Sequence, residues 1–381
     1  MNRLQQRARV SIVGAGFGAL TTIRELRRLG VDAAITVIAP QAEFHYLPGS
    51  IWIPSALRRR EDLVVPLDSF FRRSGVRHVP GEAIGLTGSG RRLGTTAGDI
   101  DNDALVIACG ARFLRKLPGI EHTITPCEGI AAAERIRQRL TAMTGGTIAV
   151  GFATNPNEPS AMRGGPMFEF LLGIDQQLRN EGRRRRFKLV FFSPAQRPGA
   201  RLGERAVAGL LARLQRRQIA THLGHKLIRF ESDQVVTEAG QIPADLVLFM
   251  PGLTGPAWLE QAPLPRSPGG MVQADAQCRV RGFERVYVVG DAGSYPGPDW
   301  LPKQAHMADL QAAAAARNLA EELAGRPARH GFKVELRCII DELTRGTLVL
   351  RNEKRSIALP PSRTMHWAKR MYEWRYLRLY R

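Results

Sequence analysis

Four cysteines carry the most versatile side-chain chemistry in this 381-residue chain: Cys109, Cys127, Cys278 and Cys338. None of them belongs to a CxxC pair, so the sequence predicts no metal site. Four cysteines are also too few for a disulfide scaffold of this length, so any that act would act as thiolate nucleophiles. Cys109 lies in a predicted buried strand, and we expect it and Cys278 to be structural. For Cys127 and Cys338, a reactive thiol and a buried, inert one both remain open.

A glycine-rich turn close to the N-terminus is the strongest ligand-binding motif. The apolar strand 10–13 runs into Gly14-x-Gly16-x-x-Ala19, and a helix is predicted over 20–29. The first glycine permits a tight turn, the second lets a pyrophosphate approach the backbone, and the small third residue lets helix and strand pack closely. The helix N-terminus then faces the phosphates. The motif predicts a dinucleotide-binding βαβ unit.

The second strand of that unit, 34–38, departs from the usual pattern at its end. Such strands usually end in an acid that holds the ribose, but here Ala39 and Pro40 follow. We therefore expect backbone groups or other side chains to hold the ribose.

Two later segments point to FAD as the dinucleotide. The apolar strand 105–110, followed by Ala111, resembles a strand motif of flavoproteins with two dinucleotide-binding domains. The segment 286–291 resembles their second FAD signature, in which the acid, here Asp291, hydrogen-bonds the ribityl chain. The alternative for Gly290-Asp291 is an ordinary strand-to-turn signal. Three motifs in this order are more specific than any one of them.

A second dinucleotide fingerprint is missing. Relatives that use NAD(P)H carry another GxGxxG at the start of the second domain, where this chain has the strand 148–152 followed by 153–156. A proline and bulky residues in that turn obstruct the approach of a pyrophosphate to the backbone. We predict that NAD(P)H is not the electron donor.

The order of strands and helices predicts an α/β fold with parallel sheets. The fold class is two Rossmann-like dinucleotide-binding domains, resembling glutathione reductase, plus a C-terminal membrane-associating segment. The arginine run 183–186 is predicted to be a solvated loop. The predicted divisions are an FAD-binding domain of residues 1–112 and 255–326, a second Rossmann-like domain without a nicotinamide fingerprint at 113–254, and a C-terminal segment with an amphipathic helix at 327–381.

The charge balance is strongly basic, with 55 Lys and Arg against 35 Asp and Glu and a formal net charge of +20. Such a surplus attracts polyanions, although an arginine-rich composition also follows from a GC-rich genome. No zinc-finger, RNA-recognition or KH pattern accompanies it, so we predict no nucleic-acid partner. The chain has no apolar run of about 20 residues and no signal-peptide core at its start. We expect a cytoplasmic location, or a peripheral one on the cytoplasmic face of the cell membrane.

Nearly the whole chain resembles the sulfide:quinone oxidoreductases and the related flavoprotein of flavocytochrome c sulfide dehydrogenase. The similar segments, besides the motifs above, are 43–52, 164–170 and 302–307. The resemblance implies FAD as the cofactor, sulfide or a related sulfur compound as the donor, and a membrane quinone as the acceptor. Whether the chain forms a homo-oligomer stays open.

Motifs and resemblance together assign a set of residues to FAD. Lys303 is expected to place a positive charge near the flavin ring. The set consists of Gly14, Gly16, Gly18, Ala19, Ala39, Pro48, Gly110, Gly290, Asp291 and Lys303.

The resemblance implies that cysteines do the sulfur chemistry, and here the chain departs from the family. Cys127 matches the first family cysteine and Cys338 the last, but the middle position falls at Met162-Arg163. In the family, the middle and last cysteines form the redox bridge over the flavin, which cannot form with Arg163. Two family histidines are also replaced; Ala131 and Arg201 stand in those places.

Three hypotheses remain open after this departure. Cys338 acts as the nucleophile and Cys127 as a second sulfur carrier, or the donor is instead a thiol, a sulfur-carrier protein or a redox partner chain, or the protein is a non-catalytic flavoprotein. His45, His306 and Glu169 either lie beside the flavin or are structural.

The last segment, 361–381, combines aromatic and basic residues. Trp and Tyr favour the membrane headgroup level, and Arg pairs with anionic lipid, so the pattern predicts an interfacial helix. The alternative is a helix packed on the protein's own surface. Tyr372 and Tyr376 match family aromatic positions and are expected to wall a quinone path. The residues predicted to form the helix's membrane face are Trp367, Met371, Trp374, Leu377 and Tyr380.

Overall fold

The protein's structure, a computed structural model, describes residues 7–381. Helices and strands alternate through most of the chain, as expected for parallel sheets covered by helices. The α-helices are α1 (Phe17–Arg28), α2 (Arg60–Leu63), α3 (Asp68–Arg73), α4 (Ile130–Ala142), α5 (Gly165–Asn180), α6 (Glu204–Arg216), α7 (Ala305–Leu323) and α8 (Arg363–Arg378). The strands are β1 (Ala8–Val13), β2 (Ala33–Ala39), β3 (Glu43–His45), β4 (Val64–Pro66), β5 (Val76–Pro80), β6 (Ala83–Thr87), β7 (Arg92–Thr95), β8 (Ile100–Asp101), β9 (Ala104–Ile107), β10 (Arg112–Phe113), β11 (Gly146–Phe152), β12 (Phe187–Ser193), β13 (Ala220–Leu223), β14 (Leu227–Phe230), β15 (Gln234–Thr237), β16 (Gly240–Pro243), β17 (Leu246–Met250), β18 (Leu253–Thr254), β19 (Val272–Gln273), β20 (Val286–Val288), β21 (Gly293–Ser294), β22 (Glu335–Asp341), β23 (Gly346–Asn352) and β24 (Ser356–Ala358).

The first parallel sheet has the strand order β20-β9-β1-β2-β5. The chain leaves β1 towards β2 on one side and later returns to β9 on the other. The carboxyl end of β1 is therefore the topological switch point, where α/β sheets bind their ligands. Helices α1 and α7 pack together on this sheet, with Leu20, Ile23, Ala312 and Ala315 fully buried in one cluster.

A second parallel sheet has the order β13-β12-β11-β17. Helices α4, α5 and α6 bury apolar residues against it, among them Ile136, Phe170 and Leu210. The small antiparallel sheet β14-β15-β16 packs elsewhere on it through Phe230 and Val235. The two parallel sheets confirm the predicted α/β fold class.

The C-terminal part contains an antiparallel sheet that the sequence analysis did not predict. Its order is β22-β23-β24, and it precedes helix α8. Ser362 caps α8 by accepting a hydrogen bond from the Met365 N–H at 3.2 Å. Leu336, Ile340 and Val349 of this sheet are buried in the same cluster as the core of the second parallel sheet.

Helix α8 has one exposed apolar face, and this face contains fewer residues than predicted. Trp367, Met371 and Trp374 are 61%, 66% and 55% exposed. Leu377 and Tyr380 are buried, so their assignment to the same face is wrong. An α-helix turns about 100° per residue, so the step of three residues from Trp374 to Leu377 rotates the Leu377 side chain towards the protein. Tyr380 lies beyond the end of α8, in the turn that follows it. Within residues 7–381, no helix is long and apolar enough to cross a membrane.

The arginine run before β12 is only partly solvated, which corrects the predicted loop. Arg184 lies largely buried, and its Nε donates to Asp175 Oδ1 at 2.5 Å. Arg179 and Arg217 also pair with the fully buried Asp175 carboxylate. The buried charge is stabilised because it has several partners. Arg183 donates to the carbonyl groups of Leu140 and Met143.

Candidate active site

One large cavity opens at the carboxyl end of β1. Its volume of about 1870 Å³ exceeds that of a pocket for an ordinary small molecule, roughly 300–1,000 Å³. Ala19 and Tyr376 do not reach the wall, since both are buried behind it. The other predicted site residues share its lining: Gly14, Gly16, Gly18, Ala39, Pro48, Cys127, Gly110, Gly290, Asp291, Lys303, Cys338 and Tyr372.

The glycine turn has the geometry that a dinucleotide pyrophosphate requires. Gly14 has φ +109°, and a Cβ on it would lie 2.6 Å from the Ala108 carbonyl oxygen. A Cβ on Gly16 would meet nothing within 4 Å, so the main chain there faces open space. Helix α1 begins at Phe17, earlier than predicted, and its N-terminus is directed to the cavity. The turn therefore fits the phosphates of FAD.

Gly18 performs the packing role that the motif assigned to its neighbour. A Cβ on Gly18 would lie 2.8 Å from Val289 Cγ2, so only glycine lets α1 approach the end of β20. Ala19 is fully buried beneath the helix and packs in the core. Gly18 and Ala19 therefore share the packing role of the motif's third small residue.

Asp291 follows β20 and is held by an arginine that the sequence analysis left without a role. Arg163 Nε donates to Asp291 Oδ2 at 3.0 Å. The Lys303 ammonium is buried and donates to the Asp291 carbonyl oxygen at 3.3 Å and to the Gly293 carbonyl oxygen. Burial lowers the pKa of Lys303. Asp291 and Lys303 lie next to one another, as a shared flavin site requires.

Arg201 is the second arginine in this part of the cavity. It donates to the carbonyl oxygens of Ser160 at 2.7 Å and Met162 at 2.9 Å. Burial lowers its pKa to about 10, which leaves it charged at neutral pH. The only sequence signal for Arg163 and Arg201 was their departure from the family pattern.

The two candidate catalytic cysteines line the cavity but are protonated at neutral pH. Cys127 lies in the turn Pro126–Glu128, where burial raises the pKa of its thiol to about 12, partly offset by Arg163. Cys338 lies in β22, where burial and Glu169 raise its pKa to about 12. Both thiols therefore need activation before they can act as nucleophiles.

The two cysteines without a predicted catalytic role, Cys109 and Cys278, differ in their surroundings. Cys278 is fully buried in the core around α1 and α7, as predicted. Cys109 was expected in the core but lines the cavity and is partly exposed, because β9 ends at Ile107, two residues before it. Burial nevertheless raises the pKa of Cys109 to about 11.

A buried polar network beside the cysteines was not predicted. The Lys369 ammonium pairs with Glu169 and donates to the Ile339 carbonyl oxygen at 3.0 Å. Burial raises the pKa of Glu169. The Glu169 carboxylate also accepts the Asp341 N–H at 2.8 Å. These residues come from α5, β22 and α8, so no local pattern in the sequence could have joined them.

The network continues away from the cavity. Asp341 accepts a hydrogen bond from Trp52 Nε1 at 2.9 Å, and its other oxygen lies 2.7 Å from His366 Nδ1. Burial opposes ionisation of Asp341, but His366, Lys369 and Trp52 outweigh it and lower its pKa. Trp52, Asp341 and His366 therefore form a structural support behind Glu169 and Lys369.

The two histidines on the cavity wall both have carboxylate partners. His45 Nε2 lies 3.0 Å from Glu43 Oε2, and His306 Nε2 lies 2.7 Å from Glu335 Oε1. Burial opposes ionisation of Glu335, but His306, Lys333 and Arg337 outweigh it and lower its pKa to about 2. These contacts agree with structural roles for both histidines.

The two tyrosines predicted to wall a quinone path occupy different positions. Tyr372 is half exposed on the cavity wall. Tyr376 is buried, and its hydroxyl donates to Asp309 Oδ1 at 2.9 Å. Burial raises the pKa of Asp309 to about 6. Tyr376 packs behind Tyr372, with ring centroids 5.9 Å apart, and so supports it.

The second parallel sheet has no tight turn after its first strand. The long connection 153–164 separates β11 from α5. Asn155 in this connection donates to the carbonyl oxygens of Leu253 and Gly269. A Cβ on Gly252 would lie 2.3 Å from the Asn155 nitrogen. The connection therefore packs over the carboxyl end of β17, where a nicotinamide dinucleotide would bind in a Rossmann-like domain.

Comparison with known proteins agrees with this geometry. The family model described as pyridine nucleotide-disulphide oxidoreductase matches residues 8–314. A sulfide-quinone reductase of Aquifex aeolicus is 24% identical over 87% of this chain and 80% of its own length. A type II NADH:quinone oxidoreductase of Staphylococcus aureus is 22% identical over 84% of each chain.

The fold is also that of a solved flavoprotein structure. The sulfide:quinone oxidoreductase of Aquifex aeolicus superimposes with a TM-score of 0.89 at 22% identity, covering 97% of this chain and 90% of that one. The matching family binds FAD, and the cavity with its glycine turn fits that cofactor. The chain belongs to the pyridine nucleotide-disulphide oxidoreductase family and is an FAD-binding oxidoreductase.

Proposed function

We propose that the protein passes electrons from sulfide or a related sulfur compound to a membrane quinone. One observation carries the proposal: Cys127 and Cys338 line the same cavity as the glycine turn and Asp291. The FAD, when bound, supplies an electron acceptor that takes an electron pair from the donor and hands it on. The similarity to the Aquifex aeolicus sulfide-quinone reductase supports this choice of donor and acceptor.

Different residues of the chain have different roles in this proposal: some bind the cofactor and others bind sulfur. The glycines of the turn and Asp291 hold the cofactor, while Lys303 keeps a positive charge beside it. Cys338 and Cys127 are the groups that would bind sulfur. The Glu169–Lys369 ion pair lines the same cavity and acts electrostatically on the Cys338 thiol.

The quinone side of the proposal depends on α8. Tyr372 lies on the cavity wall and on the same helix as the exposed Trp367 and Trp374. Arg370 and Arg378 stack over these two tryptophans at 4.6 Å and 4.7 Å. Aromatic rings flanked by arginines suit a membrane interface with anionic lipid. We infer a peripheral position on the cytoplasmic membrane face, with α8 in the interface.

A second candidate keeps FAD and the fold but changes the donor to a thiol or a redox partner protein. Arg163 favours it, because it replaces the middle family cysteine and pairs with Asp291. The high pKa of both remaining cysteines also favours it, since neither is a thiolate at neutral pH.

An anaerobic sulfide titration of the holoprotein tests the proposal. We expect the flavin absorbance to bleach on adding sulfide and to recover on adding a soluble quinone. Cys338→Ser should abolish the bleaching, whereas Cys278→Ser, at a buried thiol that does not line the cavity, should not. A flavin that sulfide leaves oxidised would support the second candidate, and full activity of Cys338→Ser would refute its role.

A further inference from the structure

The cavity contains a cationic corner in which two arginines stand beside the flavin-site residues Asp291 and Lys303 and have no role in holding FAD or sulfide assigned to them. Arg163 lies just before α5, and Arg201 lies in the 3-10 helix Ala200–Leu202. Both line the cavity. Arg163 pairs with the Asp291 side chain, and Lys303 donates to the Asp291 carbonyl oxygen at 3.3 Å. Arg201 donates to the carbonyl oxygen of Met162, the residue before Arg163, at 2.9 Å. Three positive charges thus meet in one corner of the wall.

The negative charge in this corner is insufficient to balance them. Asp291 pairs with Arg163 and acts at longer range on Arg201 and Lys303, and Glu158 acts at longer range on Lys303. Two carboxylates thus stand against three cations. Among the described residues, Arg201 has no carboxylate within salt-bridge distance, and its guanidinium donates to main-chain carbonyl groups instead. A desolvated cation without a counter-ion is unfavourable and is stabilised by binding an anion.

The N-terminus of α5 adds to the same corner. This helix has 16 residues, and no side chain caps its first turn. Gly165 lines the cavity, and a Cβ on it would meet nothing within 4 Å. Pro166 has no N–H, and the Met167 N–H donates to the Gly164 carbonyl oxygen at 3.1 Å. The Gly165 N–H and the dipole of a long helix are left to favour an anion at this end. Arg163 precedes the helix directly, so arginine and helix terminus face one place.

The planar guanidinium group favours anions that present two acceptor oxygens. An arginine donates two parallel hydrogen bonds to the oxygens of a carboxylate or an oxyanion. Sulfide has a single acceptor atom and so cannot supply the two separate acceptors that parallel hydrogen bonds from one guanidinium require. The corner therefore suits a larger sulfur compound with an oxygen-bearing anionic group.

We propose that Arg163 and Arg201, with the N-terminus of α5, bind the anionic oxygens of a donor that is a sulfur oxyanion or a carboxylate-bearing thiol. This proposal rests on the proposed function, since it names the donor class for the same site. It gives Arg163 a binding role in place of the absent family cysteine.

The test is calorimetric titration of the oxidised holoprotein. The probes are thiosulfate, for the oxyanion, and methylthioacetate, a thioether that carries a carboxylate. The matched neutral probe is 2-(methylthio)ethanol. We expect at least one anionic probe to bind tenfold or more tightly than the neutral one, and the tighter of the two identifies the donor class. Equal affinity for neutral and anionic probes would overturn the proposal without any variant.

Substitutions locate the site. Arg163→Gln and Arg201→Gln should each weaken the anionic probe at least tenfold while FAD stays bound, and Arg201→Lys should weaken it less. Arg137→Gln, at an exposed position of α4, is the matched control and should bind normally. Unchanged affinity in both variants would contradict the proposal. So would loss of FAD with probe affinity retained in the remaining holoprotein, because the arginines would then serve the cofactor.

The experiments distinguish a failure of the anion-site proposal from a failure of the proposed electron transfer. Probe binding in a protein that no sulfur donor reduces would refute the proposed electron transfer and support the anion site. Reduction by sulfide in a protein that binds neither anionic probe would do the reverse.

Discussion

Burial sets the chemistry of the individual cysteines. Cys127 and Cys338 both line the cavity, yet each has a pKa raised to about 12 because the thiolate would lose its hydration. Arg163 lowers the pKa of Cys127, whereas Glu169 raises that of Cys338. A positive charge brought near Cys338 would lower the pKa of its thiol and activate it.

The raised pKa values predict slow alkylation of these thiols. In the holoprotein, the rate at which iodoacetamide labels Cys127 and Cys338 should rise about tenfold per pH unit between pH 7 and 10, because the thiolate fraction rises by that factor below the pKa. Mass spectrometry of tryptic peptides measures the two sites separately. Denatured protein is the control and should label readily at pH 8. Rapid labelling of the folded protein at pH 7 would contradict the buried, neutral state.

At the scale of single elements, helix α8 and the connection 153–164 determine which partners and ligands can reach the protein's binding surfaces. Helix α8 presents three large apolar side chains to solvent, and arginines stack on two of them. An exposed set of this kind marks an interaction surface. The connection 153–164, by contrast, blocks access, since it covers the carboxyl end of the second parallel sheet.

The exposed face of α8 predicts membrane binding. Replacing Trp367, Met371 and Trp374 together by serine should lower partitioning into vesicles with anionic lipid at least tenfold, because each side chain would otherwise bury apolar area. Vesicle co-sedimentation measures the effect. Ile228→Ser, at an exposed apolar residue of β14, is the matched control and should bind like the original protein. Equal partitioning of the triple variant would show that this face does not touch lipid.

The covered sheet end predicts that nicotinamide nucleotides do not donate electrons. NADH and NADPH should leave the flavin oxidised under anaerobic conditions, because Asn155 and its neighbours pack where the dinucleotide would lie. Absorbance of the flavin is the measurement, with dithionite as the control that the flavin is reducible. Fast bleaching by NADH would align the protein with the type II NADH:quinone oxidoreductases among its relatives.

At the scale of the whole molecule, a buried polar network joins parts that are distant in sequence. Trp52 belongs to the chain after β3, Glu169 to α5, Asp341 to β22, and His366 and Lys369 to α8. The Asp341 side chain is fully buried. A buried carboxylate with several partners contributes stability only while all of them are present.

Removing the charge of Asp341 should therefore destabilise the assembled fold. Asp341→Asn should lower the free energy of unfolding at pH 7 by about 2–4 kcal/mol, since His366 Nδ1 loses its carboxylate partner and Lys369 keeps only Glu169 as a negative charge. The pKa of Asp341 is lowered in the folded state, so its stabilisation is present above the unfolded value of about 4 and is lost as pH falls through the folded value. The difference in stability should shrink below about pH 4.

Thermal unfolding of the holoprotein across pH measures this difference. Asp99→Asn, at an exposed carboxylate near β8, is the matched control and should change stability little. A difference in melting temperature that stays constant from pH 7 to pH 3 would show that the charge of Asp341 is not responsible.

The sequence by itself determined the fold class, the FAD-binding motifs and their order. These depend on local rules: a strand followed by Gly14 and Gly16 favours a tight turn, and apolar strands alternating with helices favour parallel sheets. The missing fingerprint after β11 and the substituted cysteine position at Arg163 were equally visible, because each is a matter of residue type at a known place.

Only the tertiary structure decided which side chains meet and how polar their surroundings are. Asp341 and Lys369 join one network although no periodicity relates them, and Leu377 turned inward because a helix rotates steadily away from a three-residue spacing. The pairing of Arg163 with Asp291, and the absence of a carboxylate partner for Arg201 among the described residues, depend on distances across the cavity. Desolvation depends on every neighbour at once, so the reactivity of the cysteines could be decided only in the folded chain.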